Sequence, residues 1–276
     1  MNSDHGGLVD ALAEAAKEAG EAILTIVRRG FDVEAKQDRS PVTEADRAAE
    51  LVILAALARA APGIPVIAEE EVAAGRIPAH DHTYFLVDPL DGTKEFIRGG
   101  DDYTVNIGLI EGGTPKLGVV FAPATQRLHG GCVGEGAWLD EGQGRVPIAT
   151  RPRGELTTAV ASKSHLNQAT IDYLEAAVGN CGYVSVGSSL KFCIVAEGKA
   201  DIYPRAAPTS EWDTAAGHAV LLAAGGLVDG TDGQPLRYGK RAFLNRAFVA
   251  TSGWKPPTLE PFLEPFSGGG EIPAGV

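Results

Sequence analysis

From Leu86 to Phe96 this chain reads Leu-Val-Asp-Pro-Leu-Asp-Gly-Thr-Lys-Glu-Phe, and this stretch decides the fold prediction. An apolar strand runs directly into Asp88 and Asp91, the Asp91-Gly92 pair forces a turn, and Thr93 can begin a helix. The two carboxylates and the intervening Leu90 carbonyl form a cluster of hard oxygen ligands, which Mg²⁺ prefers. Asp-Gly is also a common hairpin dipeptide, so this stretch alone leaves a plain turn as the alternative.

Two further junctions each present carboxylates. Glu69-Glu70-Glu71 follows a short apolar strand, and Asp213 opens an apolar helix after Trp212. A solvated loop and an ordinary first-turn aspartate are the alternatives for these two sites. Because junctions between elements are where α/β proteins gather ligands, the three acidic junctions together favour one shared site.

The periodicity of apolar residues predicts an α+β amino half and an α/β carboxyl half. The predicted helices are Leu8–Arg29, Thr43–Ala60, Gln168–Val178, Leu190–Glu197 and Glu211–Ala224. The predicted strands are Ile64–Ala68, Thr83–Val87, Tyr103–Ile110, Leu117–Ala122, Arg127–Val133, Thr158–Ala161, Tyr183–Val186, Ala200–Tyr203 and Phe248–Thr251. With a candidate boundary at 145–156, we expect two domains, 1–150 and 151–265, and a disordered tail over 266–276.

The charge balance limits the classes of partner. The chain has 24 Lys and Arg against 36 Asp and Glu, a net charge of −12, which disfavours binding to nucleic acid polymers or anionic membranes. Its longest apolar run, Leu51–Ala58, is too short to cross a membrane, and residues 1–10 contain no signal sequence. Its three cysteines are widely spaced without a Cys-x-x-Cys motif, so we expect a cytoplasmic protein.

The combination of Glu69-Glu70, Asp88-Pro-Leu-Asp-Gly-Thr93 and Trp212-Asp213-x-Ala-Ala-Gly217 resembles the inositol monophosphatase superfamily of Mg²⁺-dependent, lithium-sensitive phosphomonoesterases. The resemblance extends from the first helix to Phe248, and it implies a layered αβαβα sandwich.

Within the superfamily, the chain is most similar to the bacterial 3′(2′),5′-bisphosphate nucleotidases. Inositol monophosphatases usually carry Asp-Gly-Thr-Thr-Asn-Phe after the metal turn, whereas this chain has Gly92-Thr-Lys-Glu-Phe96, as the nucleotidases do. Ser162-Lys-Ser-His165 resembles the nucleotidase Ser-Arg-Ser-His, with Lys163 in place of the bidentate arginine. The Gly187–Cys193 and Tyr203-Pro-Arg205 segments also match. The glutamate that contacts the inositol ring is replaced here by Ala206.

The resemblance implies a set of roles for individual residues. One Mg²⁺ would bind Glu69, Asp88 and the Leu90 carbonyl, and a second would bind Asp88, Asp91 and Asp213. A third, weaker ion would involve Glu69 with Asp46 through water. Glu69 with Thr93 would activate the attacking water, and the Gly92 and Thr93 N–H groups would hold the scissile phosphate. The nucleotide-side residues would be Ser164, His165, Ser188, Lys191, Arg205 and Asp213.

The implied reaction converts adenosine 3′,5′-bisphosphate to AMP and phosphate, within sulfur metabolism. Inositol phosphate or fructose 1,6-bisphosphate hydrolysis is the first alternative. A catalytically inactive metal or nucleotide sensor is the second. The expected partners are a small nucleotide bisphosphate and no nucleic acid polymer, and a homodimer is left open.

Overall fold

The computed structural model describes residues 5–35, 41–162 and 167–263. The α-helices in these ranges are α1 His5–Arg29, α2 Glu44–Ala60, α3 Glu69–Ala73, α4 Thr93–Ile97, α5 Gln168–Val178, α6 Leu190–Ala196 and α7 Trp212–Ala223. None of them is long and apolar enough to span a bilayer.

Most of the strands belong to two large sheets. The strands are β1 Val33–Ala35, β2 Pro41–Thr43, β3 Val66–Ala68, β4 Thr83–Asp91, β5 Thr104–Glu111, β6 Thr114–Ala122, β7 Arg127–Cys132, β8 Gly136–Asp140, β9 Arg145–Ile148, β10 Thr158–Ser162, β11 Gly182–Val186, β12 Ile202–Arg205, β13 Thr209–Ser210, β14 Leu227–Gly230, β15 Leu244–Asn245 and β16 Phe248–Thr251. One sheet has the order β3-β4-β5-β6-β7-β8-β9 and the other the order β11-β10-β12-β16-β14. In the first sheet β3 and β4 are parallel and every later pair is antiparallel.

Helices and sheets alternate in five layers. Helices α1 and α2 cover one face of the seven-stranded sheet, and α6 and α7 lie between the two sheets. Helix α5 covers the outer face of the five-stranded sheet through Tyr173 and Leu174. The interior strand β5 is buried along nearly its whole length, as a strand covered on both faces must be. The predicted αβαβα sandwich is therefore confirmed.

Helix α7 approaches the seven-stranded sheet closely because glycines face it. A Cβ atom at Gly118 would lie 2.4 Å from the Ala216 carbonyl oxygen, and one at Gly108 would lie 2.9 Å from the Ala216 nitrogen. The small side chains of Ala215 and Ala216 complete this contact. The amino end of α7 is thereby fixed beside the end of β4.

The core elements begin and end close to their predicted positions, and the differences lie in short polar segments. Strands β8 and β9 extend the first sheet, and the first four residues of the candidate boundary at 145–156 form β9. The carboxylate run at Glu69 opens the short helix α3. The seven-stranded sheet is built from residues 66–148 and the five-stranded sheet from 158–251, while the division into two domains stays a prediction. The tail at 266–276 lies outside the described residues.

Candidate active site

Strand β4 carries two of the predicted metal ligands across an irregularity in the sheet. Asp88 pairs with Asn106 and Asp91 pairs with Thr104, so between these pairs two residues of β4 lie opposite one residue of β5, which is a β-bulge. The bulge re-aims the chain at Pro89-Leu90, which is a recurrent use of bulges beside active sites. The Leu90 N–H donates to Asp88 Oδ1 at 3.0 Å, which fixes the orientation of that carboxylate.

Gly92 turns the chain from β4 into α4. Its φ of +92° lies in the left-handed region, and a Cβ atom there would lie 2.8 Å from the Asp102 carbonyl oxygen. The next residue, Thr93, is the first of α4, and its hydroxyl lies 3.3 Å from Asp46 Oδ1 and 3.1 Å from the Leu90 carbonyl oxygen. The Asp46 carboxylate also accepts hydrogen bonds from the backbone N–H and the hydroxyl of Thr43, at 2.8 Å each, as part of a capping box on α2. Asp46 thus connects the start of α2 to the start of α4 and positions the Thr93 hydroxyl.

The other two predicted acidic ligands arrive from neighbouring elements. Glu69 follows β3, and because β3 and β4 are parallel, their carboxyl ends meet at the same sheet edge. Asp213 lies in the first turn of α7, and its Oδ2 accepts hydrogen bonds from the Thr209 hydroxyl and from the Ser210 N–H, the latter at 3.1 Å. Both carboxylates therefore have backbone positions set by the packing of the layers.

Two cations face this acidic edge, one from helix α6 and one from strand β12 of the second sheet. Lys191 lies in the first turn of α6, is only 4% exposed, and donates from Nζ to the Ser188 carbonyl oxygen. Arg205 ends β12 and donates to the carbonyl oxygens of Ala207 and Pro208 at 3.3 and 3.2 Å. Ser188 has a φ of +46°, so the turn before α6 is held in a conformation that few non-glycine residues adopt.

One cavity of about 300 Å³ joins these groups. The predicted site residues that line it are Glu69, Asp88, Leu90, Asp91, Gly92, Thr93, Ser188, Lys191, Arg205 and Asp213. Asp46 is linked to the cavity through its hydrogen bond with Thr93, which lines it. The predicted Ser164 and His165 lie outside the described residues.

Several residues that position the site were not foreseen from the sequence. The cavity is also lined by Thr209, which bonds Asp213, and by Ser189, whose hydroxyl hydrogen-bonds Asn106 at 2.5 Å. Asp102 accepts the Gly187 N–H at 2.9 Å and so fixes the turn that leads into α6. Only the run of small residues at 187–189 offered a signal for any of these contacts.

The buried carboxylates strongly disfavour one another's charge. Burial raises the pKa of Asp88 well above its usual range, and the charges of Glu69, Asp91 and Asp213 raise it further. Burial raises the pKa of Asp91 to about 6 against the opposing effect of Lys191. It also raises the pKa of Asp213 to about 6, with Asp91 adding to the shift.

The raised pKa values of these carboxylates indicate that the acidic edge can bind a cation. Lys191 and Arg205 compensate only part of the charge of these buried carboxylates, whose pKa values remain raised, and a divalent cation removes the remaining imbalance. Their oxygen-only donor set is the type that Mg²⁺ selects. Burial lowers the pKa of Lys191 to about 8, while the charge of Asp91 opposes that shift. The residues present therefore fit a divalent cation beside a cationic pocket.

Comparison with known proteins places this arrangement in a family. The profile of the inositol monophosphatase family matches residues 7–262. The 3′(2′),5′-bisphosphate nucleotidase CysQ of Salmonella typhimurium is 44% identical over 247 residues, covering 88% of this chain and 99% of that protein.

Solved structures agree with this result. The crystal structure of CysQ from Bacteroides thetaiotaomicron, a bacterial member of the inositol monophosphatase family, is 39% identical. Its TM-score is 0.75, with 89% of this chain and 97% of that one covered. An inositol monophosphatase from Anabaena is 28% identical with a TM-score of 0.73, covering 94% of this chain and 95% of that one. The resemblance found in the sequence is confirmed, and this chain belongs to the inositol monophosphatase family.

Proposed function

We propose that this chain is a metal-dependent 3′(2′),5′-bisphosphate nucleotidase that hydrolyses the 3′-phosphate of adenosine 3′,5′-bisphosphate to give AMP and phosphate. The observation that carries this proposal is the cavity itself, where a carboxylate edge lies opposite the buried Lys191 and the partly buried Arg205. A substrate with two phosphates matches that arrangement, because one phosphate can bind at a metal and the other at the two cations. The name of the 44% identical Salmonella protein supports the same substrate class.

Family members are metal-dependent phosphatases, and we propose Mg²⁺, two or three ions per site. Asp88, Asp91, Asp213, Glu69 and the Leu90 carbonyl would hold them. When bound, the ions supply Lewis-acid activation of water and neutralise charge on the reacting phosphate.

The residues of the turn between β4 and α4 hold and orient the reacting groups. The Thr93 hydroxyl is fixed between Asp46 and the Leu90 carbonyl, so it presents one defined geometry towards the attacking water. Glu69 lines the same cavity and accepts the proton of that water. The N–H groups of Gly92 and Thr93 hold the scissile phosphate, and Gly92 is required because only glycine adopts this turn readily beside Asp102.

The turn before α6 and the end of β12 would bind the second phosphate. Lys191 is desolvated, so its ammonium group binds an anion more strongly than an exposed lysine does. Ser188 and Arg205 line the same side of the cavity. We assign Ser164 and His165 to this side on the sequence resemblance alone.

The alternative substrates differ in what they need from this side of the cavity. An inositol phosphate carries a ring of hydroxyl groups, and the position from which relatives contact that ring is Ala206 here, which has no polar side chain.

A cytoplasmic location stays part of the proposal, because Cys132, Cys181 and Cys193 are all buried and unpaired.

The test is phosphate release from a panel of substrates at equal concentration with Mg²⁺ present. The panel contains adenosine 3′,5′-bisphosphate, its phosphosulfate relative, inositol 1-phosphate and fructose 1,6-bisphosphate. We expect the highest kcat/KM with adenosine 3′,5′-bisphosphate and no turnover with Asp91→Asn, which removes a ligand while keeping the side-chain volume.

Each rival has its own outcome in this panel. A preference for inositol phosphate or fructose bisphosphate would overturn the substrate assignment. Full activity of Asp91→Asn would overturn the metal assignment. Nucleotide binding without Mg²⁺-dependent turnover in the unmodified chain would favour a sensor.

A further inference from the structure

A second group of side chains that could bind a metal lies at the opposite end of the strands of the seven-stranded sheet. The candidate active site is at the end where Asp91 pairs with Thr104, whereas β5 ends at Glu111. Seven residues of strand separate these positions, or about 23 Å at 3.3 Å per residue. We call the group formed by His5, Cys132, Glu135 and Glu111 the far-edge cluster.

Three donor atoms of the far-edge cluster converge. The imidazole nitrogen of His5, the Sγ of Cys132 and a carboxylate oxygen of Glu135 all lie within 4.8 Å of one another. Cys132 is only 5% exposed, and the Glu135 carboxylate lies beside its thiol. Among the described residues no other set of three His, Cys, Asp or Glu side chains meets the same distance limit.

The imidazole of His5 gives a second, independent indication of a ligand site. His5 Nε2 is fully buried at the atomic level and has no hydrogen-bond partner within the described part of the chain. The Glu111 Oε1 lies 3.5 Å from it. A buried ring nitrogen without a partner costs free energy unless something satisfies it, and here it faces a thiol and carboxylates.

The donors are held by three separate parts of the fold. His5 begins α1, and Glu111 ends β5. Cys132 and Glu135 flank the tight turn between β7 and β8, where the Glu135 N–H donates to the Cys132 carbonyl at 2.9 Å. An ion bound here would fasten the start of α1 to the edge of the sheet that α1 covers.

We propose that the far-edge cluster is a structural zinc site formed by His5, Cys132 and Glu135, with Glu111 as the fourth ligand. One sulfur, one nitrogen and two carboxylate oxygens are ligands that Zn²⁺ accepts in tetrahedral geometry, whereas Mg²⁺ selects oxygen alone. With metal–ligand bonds of about 2.0–2.3 Å, ligand atoms around tetrahedral zinc lie about 3.3–3.7 Å apart. The triad atoms lie within 4.8 Å of one another and Glu111 Oε1 lies 3.5 Å from His5 Nε2, so side-chain rotations of these four residues would bring the ligand atoms around one ion. Binding transfers the thiol proton of Cys132 to solvent as the zinc–sulfur bond forms.

Cobalt titration of the full chain tests the proposal. The protein is stripped with a chelator, supplied with excess Mg²⁺ to occupy the oxygen-only site, and titrated with Co²⁺. A thiolate ligand gives an intense sulfur-to-cobalt charge-transfer absorption in the near ultraviolet, which oxygen ligands do not give. We expect this absorption to saturate at one equivalent, to disappear on adding Zn²⁺, and to be absent in Cys132→Ser.

Matched variants make the outcome specific. Cys181→Ser, which alters another buried cysteine, and Asp91→Asn, which alters the candidate active site, are expected to keep the absorption. His5→Ala and Glu135→Gln are expected to weaken Co²⁺ and Zn²⁺ affinity by more than about 100-fold, since even indirect changes around a metal cost about 10–100-fold. Zn²⁺ is also expected to raise the midpoint temperature of the unmodified chain and not that of His5→Ala.

Several results would overturn the site. These are no charge-transfer absorption at stoichiometric Co²⁺, an absorption that survives in Cys132→Ser, or unchanged affinity in His5→Ala. Because His5 is the first residue of α1 and its side chain is 23% exposed, its variant is expected to fold and to keep the phosphatase activity. These results are therefore separate from the test of the proposed function.

Discussion

Glu197 joins the end of α6 to strand β7 of the seven-stranded sheet through a network of ion pairs, and Glu197→Gln is expected to weaken the fold in a pH-dependent manner. The Glu197 side chain is 4% exposed and follows the last residue of α6, the helix that carries Lys191. Arg127 Nη2 donates to both of its carboxylate oxygens at 2.8 Å, and His129 Nε2 lies 2.8 Å from Oε1. Lys199 Nζ lies 2.5 Å from Oε2.

The magnitude follows from the pKa of this carboxyl group. Although burial alone would raise it, hydrogen bonds from His129 and Lys199 together with the charges of His129 and Arg127 lower the pKa of Glu197 from 4.5 to about 2. A lowered pKa means that the folded state binds the proton less tightly than the unfolded state. The carboxylate therefore contributes stability above pH 4.5, and the contribution is lost as the pH falls through about 2. At 1.36 kcal/mol per pKa unit, the contribution at neutral pH is about 3 kcal/mol.

Urea unfolding of the unmodified chain and of Glu197→Gln, measured from pH 7 to pH 2.5, checks this reasoning. We expect a loss of about 3 kcal/mol at pH 7 that shrinks steadily below pH 4.5. The control is Glu141→Gln, because Glu141 pairs with the same Arg127 at 3.3 Å but is 57% exposed. That variant is expected to lose less than about 1 kcal/mol. A loss in Glu197→Gln that matches the control, or that does not change with pH, would refute the argument.

Three further predictions concern the candidate active site. Lys191→Met is expected to raise KM for adenosine 3′,5′-bisphosphate about 10–100-fold in steady-state assays, because a hydrogen bond between a buried cation and phosphate contributes about 1.5–3 kcal/mol. Gly92→Ala is expected to lower kcat about 100-fold with little change in circular dichroism, because the new Cβ would lie 2.8 Å from the Asp102 carbonyl oxygen and shift the turn. Asp102→Ala is expected to raise KM more than Asp102→Asn, since the asparagine keeps an oxygen acceptor for the Gly187 N–H, 2.9 Å from Asp102 Oδ2.

The turn at Asp88–Thr93 was predictable because its signals are local. An apolar strand, an Asp-Gly pair and a helix-starting threonine occupy adjacent positions, and the structure places a strand end, a left-handed glycine and a helix start there. Glu69 and Asp213 were predictable for a different reason, since both follow directly after recognisable elements and such junctions meet at one sheet edge.

Other parts of the site depended on contacts that sequence spacing does not reveal. The Thr209 hydroxyl hydrogen-bonds Asp213, yet Thr209 lies in a two-residue strand that pairs with the equally short β15. Strand β9 was read as part of a polar boundary because it lies at the sheet edge, where side chains are not forced to be apolar. The far-edge cluster brings together His5 and Cys132, which are far apart in the sequence, so no local motif indicates it.

The acidic edge also couples function to stability, and Asp91→Asn tests this coupling. Burial raises the pKa of Asp91 to about 6 even though Lys191 and Arg205 oppose the shift. A raised carboxyl pKa means that ionisation favours unfolding, so the metal-free fold loses stability as the pH rises from about 4 through 6. From the usual value of 3.8, the shift corresponds to about 3 kcal/mol at pH 7.

In a chelator at pH 7, we therefore expect Asp91→Asn to unfold at a higher temperature than the unmodified chain. With saturating Mg²⁺ we expect the order to reverse, because binding stabilises only the chain that has the full ligand set. If Asp91→Asn is more stable than the unmodified chain in chelator but has no phosphatase activity, Asp91 contributes to catalysis at a cost in stability. If Asp91→Asn instead melts lower than the unmodified chain in chelator, the charge repulsion inferred for this edge is wrong, and Lys191 and Arg205 compensate Asp91 without any metal.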